Sequence, residues 1–211
     1  VPALSAAELM LGTGVGLVCR VLGLPQPLAG AHAAYLLVEA SGATDPMVAL
    51  TEAVASLEGV EDAAVATEPG PAAALFRYRE GHTEAINSIG PPHKLDVSFP
   101  PGILAAMIER MPSVVAAVAP GADVWLFGHV GDGNVHVNVT GVDPDDNRVD
   151  DAVFRAVAEA GGSISAEHGI GTAKRPWLGL GRSQAELDAF AAIKRALDPD
   201  GILNPNVLAA R

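Results

Sequence analysis

The segment FGHVGDGNVHVNV, residues 127–139, restricts the possible folds more than any other part of this 211-residue chain. Asp132-Gly133 is a typical two-residue β-turn sequence, and apolar and polar residues alternate on either side of it. The segment therefore predicts a β-hairpin. With the turn centred on Asp132-Gly133, His129 lies directly opposite His136, and such cross-strand partners project from the same face with Cβ atoms about 4.5–5.5 Å apart.

The two histidines predict a metal site on one face of this hairpin. Imidazoles at that separation can share one ion, because Zn–N bonds are about 2.0–2.1 Å long. Alternation along the second strand places Asn138 and Thr140 on the histidine face, whereas Val135, Val137 and Val139 point the other way, into the core. The alternative interpretation is a pair of half-exposed histidines on an ordinary sheet surface.

A third metal ligand is expected from SISAEHGIG, residues 163–171. Glu167 and His168 follow a short β-like run, and adjacent side chains of an extended segment point in opposite directions. One of the pair can therefore bind a metal while the other faces a substrate. A His/His/Glu set leaves coordination positions open, as expected for an ion that holds substrate. The alternative is a surface turn with an incidental acid and imidazole.

Basic residues gather in FRYREGHTEAINSIGPPHKLDVS, residues 76–98. Arg79 and Thr83 are four apart and share one face of a predicted helix. A guanidinium can hold a carboxylate with two hydrogen bonds, and a threonine hydroxyl can add another. Lys94 offers a second positive charge from the following strand. These residues predict a pocket for a small anionic substrate, with ordinary solvated helix charges as the alternative.

The net charge narrows the classes of partner. A formal charge of −12 disfavours nucleic acid and anionic membranes as general partners. No window contains the ~18 unbroken apolar residues that a membrane helix needs. We expect a cytoplasmic protein, or one attached peripherally to a membrane as part of a full-length enzyme. The chain begins at Val1 rather than Met, which fits a piece of a longer protein.

The order of predicted elements favours an α+β fold. Helices are expected over 5–24, 45–59, 70–88, 100–111, 143–162 and 183–198, the last with Ser183 and Glu186 in a capping box; strands are expected over 32–40, 60–67, 94–100 and on both sides of the hairpin turn. Because several strands pair through short connections, we expect a ferredoxin-like antiparallel sheet with helices on one face and a helical C-terminal part. Residues 1–165 would form the α+β cap and 166–211 the helical part.

The glycines of LGTGVG, residues 11–16, do not form a dinucleotide-binding fingerprint. They fall at positions 12, 14 and 16, whereas the fingerprint needs its last glycine where Leu17 stands and a strand before it. We interpret this segment as helix or turn.

Four segments together resemble the C-terminal domain of the FAD-linked oxidases. That family includes D-lactate dehydrogenase, D-2-hydroxyglutarate dehydrogenase and the flavin subunit of glycolate oxidase. FGHVGDGNVHVNV, SAEHGIG, the RE…HKLDVS segment and LDPDGILNPN occur in the order typical of the family. The resemblance covers essentially the whole chain and is weaker before residue 70.

The resemblance implies a role for each candidate residue. His129, His136 and Glu167 would bind a divalent metal, Zn or Mn. Arg79, Thr83, Lys94 and Asn138 would contact a 2-hydroxy acid. His168 would take the hydroxyl proton while the C2 hydride passes to the flavin. Asn204, in the NPN tail, would approach the FAD.

The resemblance also implies a partner domain. FAD in such enzymes is held mainly by an N-terminal domain, which this chain lacks, so the chain alone is expected to be inactive. The electron acceptor and the specific 2-hydroxy acid are left open, as is a homodimer. Two other functions also stay open: a stand-alone metal-dependent hydrolase, for which no HExxH helix is present, and a non-catalytic binding module that keeps the fold.

Overall fold

The computed structural model describes residues 4–207 and contains one five-stranded sheet with helices packed on it. The elements are β1 (Leu4–Leu11), α1 (Gly12–Leu22), β2 (Ala34–Ala40), α2 (Met47–Ala55), α3 (Pro69–Ser88), β3 (His93–Ser98), α4 (Leu104–Val118), β4 (Asp123–His129), β5 (Asn134–Thr140), α5 (Arg148–Glu159) and α6 (Gln184–Leu197), with short 3-10 turns at Pro101–Ile103 and Arg175–Trp177. The strand order is β2-β1-β4-β5-β3, and every neighbouring pair is antiparallel. The predicted α+β class with an antiparallel sheet is confirmed.

Helices cover both faces of the sheet rather than one, so that part of the prediction is wrong. Val135, Val137 and Val139 pack with α4 and α5 in one apolar cluster. Met10 and Phe127 pack with α1 and α3 in a second cluster. Since successive residues of a strand point to opposite faces, the two clusters lie on opposite sides of the sheet.

The predicted helix over 5–24 is a strand followed by a helix. The segment LSAAELML is rich in good helix formers, yet as β1 it pairs with β2 on one side and β4 on the other. These long-range hydrogen bonds override the local preference. Helix α1 then begins at Gly12, where a Cβ would lie 2.1 Å from the main-chain oxygen of His32. The LGTGVG segment is thus the end of β1 and the start of a helix.

The predicted strand over 60–67 is absent from the described residues, which have no regular structure there. Val60 and Val65 are 48% and 69% exposed, and neither belongs to the apolar clusters on the sheet. Helix α4 also continues past Pro112 to Val118, beyond the predicted end at 111.

One segment of the described chain, Pro101–Val118, is long and apolar enough to cross a membrane, with a mean hydropathy of 1.3. Its α4 part buries Met107, Met111 and Val115 against the sheet and α5. A helix in the core of a folded domain passes the same test of length and composition.

The hairpin forms with a wider loop than predicted. Phe127, not His129, lies opposite His136, and four residues, 130–133, connect β4 to β5. The Asp132 carboxylate accepts a hydrogen bond from the Asn134 N–H at 3.0 Å, and Gly133 takes a left-handed φ of 80° against the main chain of Phe99. A slip of two residues preserves alternation, so both histidines keep the face that was predicted for them.

Candidate functional site

The two hairpin histidines lie on the sheet face that α1 and α3 cover. His129 ends β4 and His136 lies in β5, diagonally across the strand pair, with ring centroids 5.6 Å apart. His136 also contacts the Phe127 ring at 5.0 Å. The β-turn and the alternation of the strands thus bring two imidazoles together, as the sequence predicts.

Glu167 completes this group from a distant loop. The loop follows an isolated β-bridge between Ser163 and Ser98 at the end of β3. One ligand atom each from His129, His136 and Glu167 lies within 4.8 Å of the other two, and His129 Nε2 is 3.4 Å from Glu167 Oε1. The three side chains predicted as metal ligands therefore meet at one point.

Glu8 is a member of the site that the sequence analysis missed. It lies directly opposite His129 in the β1–β4 pair and is 6% exposed. Its two carboxylate oxygens accept hydrogen bonds from His129 Nδ1 at 2.6 Å and from Arg79 Nε at 2.7 Å. Since Glu8 is in the segment expected to be helical, the sequence pattern gave no sign that it approaches the hairpin.

The hydrogen bond between His129 and Glu8 leaves His129 in a form that can bind a metal ion. A carboxylate oxygen only accepts, so Nδ1 of His129 carries the proton and Nε2 keeps its lone pair. An imidazole whose other nitrogen donates to a carboxylate is the usual form of a metal-binding histidine. In the structure Arg79 Nη2 contacts Nε2 at 3.1 Å; an ion there would replace that hydrogen bond, while the bond from Arg79 Nε to Glu8 still holds the guanidinium.

His136 is suited to the same role. Burial lowers the pKa of His136 below 6.5, and the nearby Arg79 guanidinium lowers it further. The imidazole is therefore neutral at pH 7, which is the form that binds metals. Two neutral imidazoles and one carboxylate form a donor set that Zn²⁺ and Mn²⁺ accept, so the residues present fit a divalent ion.

His168 lies beside the predicted metal ligands. Its ring stacks on His136 with centroids 5.9 Å apart and planes 28° apart, and its side chain is 66% exposed. Asp96, also missed from the sequence, lies beneath it, with His168 Nδ1 4.0 Å from Asp96 Oδ2. Asp96 is directly opposite His136 in the β3–β5 pair. Pairing the LDVS segment with the hairpin would have revealed it.

The residues predicted to bind substrate are arranged around this group in different ways. Arg79 contacts it directly and covers the Phe127 ring at 4.7 Å. Lys94 and Asn138 are cross-strand partners in the row next to Asp96 and His136; Lys94 is exposed and Asn138 buried. Thr83 lies one turn after Arg79 on α3 and is exposed.

Asn204 is separate from the other predicted residues. It is exposed in the tail after α6, where its main-chain oxygen accepts a hydrogen bond from the Val207 N–H. Its φ of 41° is in the left-handed region. Within residues 4–207, no described hydrogen bond or ion pair connects Asn204 to the histidine cluster.

Comparison with known proteins places this chain in a family. The pattern of the FAD linked oxidases, C-terminal domain, matches residues 2–208. A D-2-hydroxyglutarate dehydrogenase of Stutzerimonas stutzeri is 38% identical over 64% of this chain and 31% of its own length. A mitochondrial D-2-hydroxyglutarate dehydrogenase of Arabidopsis thaliana is 32% identical over 96% of this chain and 37% of its own.

A third relative carries a different activity in its name. A Schizosaccharomyces pombe protein, provisionally named a mitochondrial D-lactate dehydrogenase, is 34% identical over 96% of this chain and 42% of its own length. The chain thus spans less than half the length of each of these three relatives. With the family pattern matched from residue 2 to residue 208, the chain belongs to the FAD-linked oxidases, through their C-terminal domain.

Proposed function

We propose that this chain is the substrate- and metal-binding domain of an FAD-dependent dehydrogenase that oxidises a D-2-hydroxy acid to the 2-oxo acid. The observation that supports it most is the convergence of His129, His136 and Glu167, with ligand atoms within 4.8 Å of one another, beside the exposed His168. The family match and the names of the relatives point to the same chemistry.

His129, His136 and Glu167 would hold one divalent ion, Zn²⁺ or Mn²⁺. Such an ion would supply Lewis-acid chemistry and would lower the pKa of a substrate hydroxyl group. Glu8 orients His129 and keeps the lone pair of Nε2 on the side of Glu167. The protein thus supplies a fixed set of donors with positions left for substrate.

His168 would accept the hydroxyl proton. An imidazole can exchange a proton near neutral pH, and this one is exposed beside the predicted ligands. The hydride from C2 would go to FAD, which would be held mainly by another domain. Asn204 would approach the flavin from the tail after α6.

Arg79, Thr83, Lys94 and Asn138 would bind the substrate. Arg79 keeps guanidinium N–H groups beyond those that contact Glu8 and His129. Asn138 is buried in the row next to His136, and it makes no side-chain hydrogen bond to a described residue. A substrate carboxylate bound here would contact two cations, Arg79 and Lys94, and the amide of Asn138.

Two parts of the chain would have different roles. Residues 1–165 would form the cap that carries most of the substrate and metal site. Residues 166–211 would form a helical part that supplies Glu167, His168 and the tail. The N-terminal FAD-binding domain would be the main partner, and the electron acceptor would react with the flavin.

Two substitutions in the flavin-containing enzyme test the assignment of roles. His168→Ala should lower turnover by about 10²–10⁴-fold, as expected when a general base is lost, and should leave the metal content intact. His136→Ala should strip the metal. Metal content by atomic spectrometry and steady-state kinetics with an artificial dye acceptor measure both; equal metal loss in the two variants would show that the roles are wrong.

Arg79→Ala should mainly raise KM for the 2-hydroxy acid, because it removes a carboxylate-binding group. A panel of D-2-hydroxy acids measured on wild type and variant would show which substrates depend on it. Metal-dependent ester hydrolysis by the purified chain without flavin would instead favour the hydrolase function.

A further inference from the structure

Asp96 is a buried carboxylate at the centre of the contacts behind the site. It is 2% exposed, between the core residues Leu95 and Val97 of β3, and its side chain points to the opposite face from theirs. Burying a carboxylate is costly unless hydrogen bonds and charges compensate for the lost water. The hydrogen-bond donors that offset this cost therefore show which parts of the site Asp96 fixes in place.

One oxygen of Asp96 fixes the loop that carries two predicted functional residues. Asp96 Oδ2 accepts hydrogen bonds from the main-chain N–H groups of Glu167 at 2.8 Å and His168 at 2.9 Å. The main-chain oxygen of Asp96 accepts a bond from the buried Lys174 ammonium at 2.9 Å. The predicted metal ligand and the predicted base are thus anchored, through adjacent peptide groups, to a single atom.

The contacts of Asp96 are those of an ionised carboxylate. Its Oδ2 accepts from two main-chain N–H groups, and the Lys174 ammonium is bonded to the main-chain oxygen of the same residue. An ionised carboxylate accepts hydrogen bonds and donates none.

The other oxygen of Asp96 faces a predicted metal ligand. Asp96 Oδ1 is 3.6 Å from His136 Nδ1 and has no hydrogen-bond partner among the described residues. Hydrogen bonds at catalytic sites are often long before ligands bind and tighten afterwards. The arrangement repeats the one at His129, whose Nδ1 meets its own cross-strand carboxylate, Glu8.

We propose that Asp96 is a positioning residue that orients the metal site and the base together. Its Oδ1 holds His136 in the Nδ1–H form, so that Nε2 carries the lone pair needed for the ion, and its Oδ2 fixes the peptides of Glu167 and His168. The inference rests on the proposed function and adds a residue that acts through His136, Glu167 and His168.

Asp96→Asn separates this role from general support of the fold. The amide oxygen can still accept both loop N–H groups, but the amide NH₂ turns a donor toward His136 Nδ1 and favours the Nε2–H form. A similar Asp→Asn change that leaves a histidine in the wrong tautomer is strongly damaging in serine proteases. Asp150→Asn is the matched control, because Asp150 contacts His93 Nδ1 at 2.6 Å in another part of the fold.

Two measurements on the 211-residue chain test the role of Asp96. Long-range ¹H–¹⁵N NMR of the metal-free chain reports the tautomer of each of its six histidines, and calorimetry with Zn²⁺ reports affinity. We expect Asp96→Asn to convert His136 to the Nε2–H form and to weaken Zn²⁺ binding about 10–100-fold, the usual loss for an outer-shell partner. Asp150→Asn should leave both unchanged.

The results distinguish an error in the role of Asp96 from an error in the metal site. If His136→Ala abolishes Zn²⁺ binding while Asp96→Asn binds like the Asp150→Asn control, the role of Asp96 is wrong and the proposed metal site stands. If the wild-type chain binds no Zn²⁺, the proposed function and this inference both fall. If wild-type His136 is in the Nε2–H form, the inference falls whatever the affinity.

Discussion

The two faces of the central sheet differ in how their side chains are held. On one face, Val135, Val137 and Val139 pack against α4 and α5 in an apolar cluster. On the other, His136 of β5, which alternates with those valines, and His129 of β4 meet charged partners. The same two strands build both faces, so alternation alone creates a rigid apolar support directly behind a polar site.

This contrast shows which side chains need a specific partner. An apolar side chain gains stability from any well-packed apolar neighbour, since burial is not directional. A buried carboxylate or imidazole needs a particular donor or acceptor at a particular place. We therefore expect substitutions on the apolar face to change stability alone, and substitutions on the polar face to change ligand binding as well.

The largest effect is expected on the apolar face. Met111, in α4, is fully buried in its cluster, and Met111→Ala should lower the free energy of unfolding by about 2–5 kcal/mol through lost burial and a cavity. Urea denaturation measures this change. Zn²⁺ affinity of the folded variant should equal that of wild type; a large loss of affinity would mean that the two faces are not independent.

On the polar face, Glu8→Gln should weaken metal binding. The amide removes the charge that holds His129 Nδ1–H and Arg79 Nε. We expect a loss of affinity of about 10–100-fold, or roughly 1.4–2.7 kcal/mol, measured by calorimetry with Zn²⁺. Glu39→Gln, on the exposed contact with Ser5, is the control, and equal affinities for the two variants would contradict the role of Glu8.

The polar face also predicts a loss of stability at acidic pH. Burial lowers the pKa of His82 from 6.5 to about 4, and its ring packs against the Phe127 ring at a tilt of 40°, with centroids 4.7 Å apart. Since the unfolded chain binds this proton more tightly, the contribution of His82 is complete above pH 6.5 and is lost as the pH falls toward 4. Between pH 7 and pH 5 it amounts to about 2 kcal/mol.

His82→Gln should remove that pH-dependent part. Unfolding free energies of wild type and variant, measured by urea denaturation at pH 7 and pH 5, give the difference directly. Parallel losses of stability in the two proteins would show that another group is responsible.

The smallest change in stability is expected from the loss of a single neutral hydrogen bond on the polar face. Trp125 Nε1–H donates to Thr140 Oγ1 at 2.9 Å. Thr140→Val keeps the shape but leaves the indole N–H without its partner, so unfolding should become about 1 kcal/mol easier. Urea denaturation followed by tryptophan fluorescence would detect this, and unchanged stability would mean that the bond adds nothing.

The same contrast explains which features the sequence could reveal. Alternation and the Gly-rich turn predicted the hairpin and the face of each valine and histidine, whereas Glu167 came from a separate segment and from the family resemblance. The pairing register was wrong by two residues, because the hydrogen bond from the Phe99 N–H to the Gly133 oxygen that helps hold the loop is tertiary. The capping box of Ser183 and Glu186 is entirely local and is present as predicted.

Glu8 and Asp96 were missed because their partners are far away along the chain. His129 is 121 residues from Glu8, and Glu167 is 71 residues from Asp96. A local pattern carries no information on which strand lies beside the hairpin. For β1 the local pattern also indicated a helix, and only pairing with β2 and β4 makes it a strand.

The central claim is that His129, His136 and Glu167 hold one divalent ion. X-ray absorption spectroscopy of the purified chain loaded with Zn²⁺, together with calorimetric stoichiometry, tests it most directly. The account predicts one ion per chain in a shell that contains two imidazole nitrogens, with one imidazole lost from the shell or the ion lost altogether in His136→Ala. An absence of saturable binding, or a shell that is the same in wild type and His136→Ala, would contradict it.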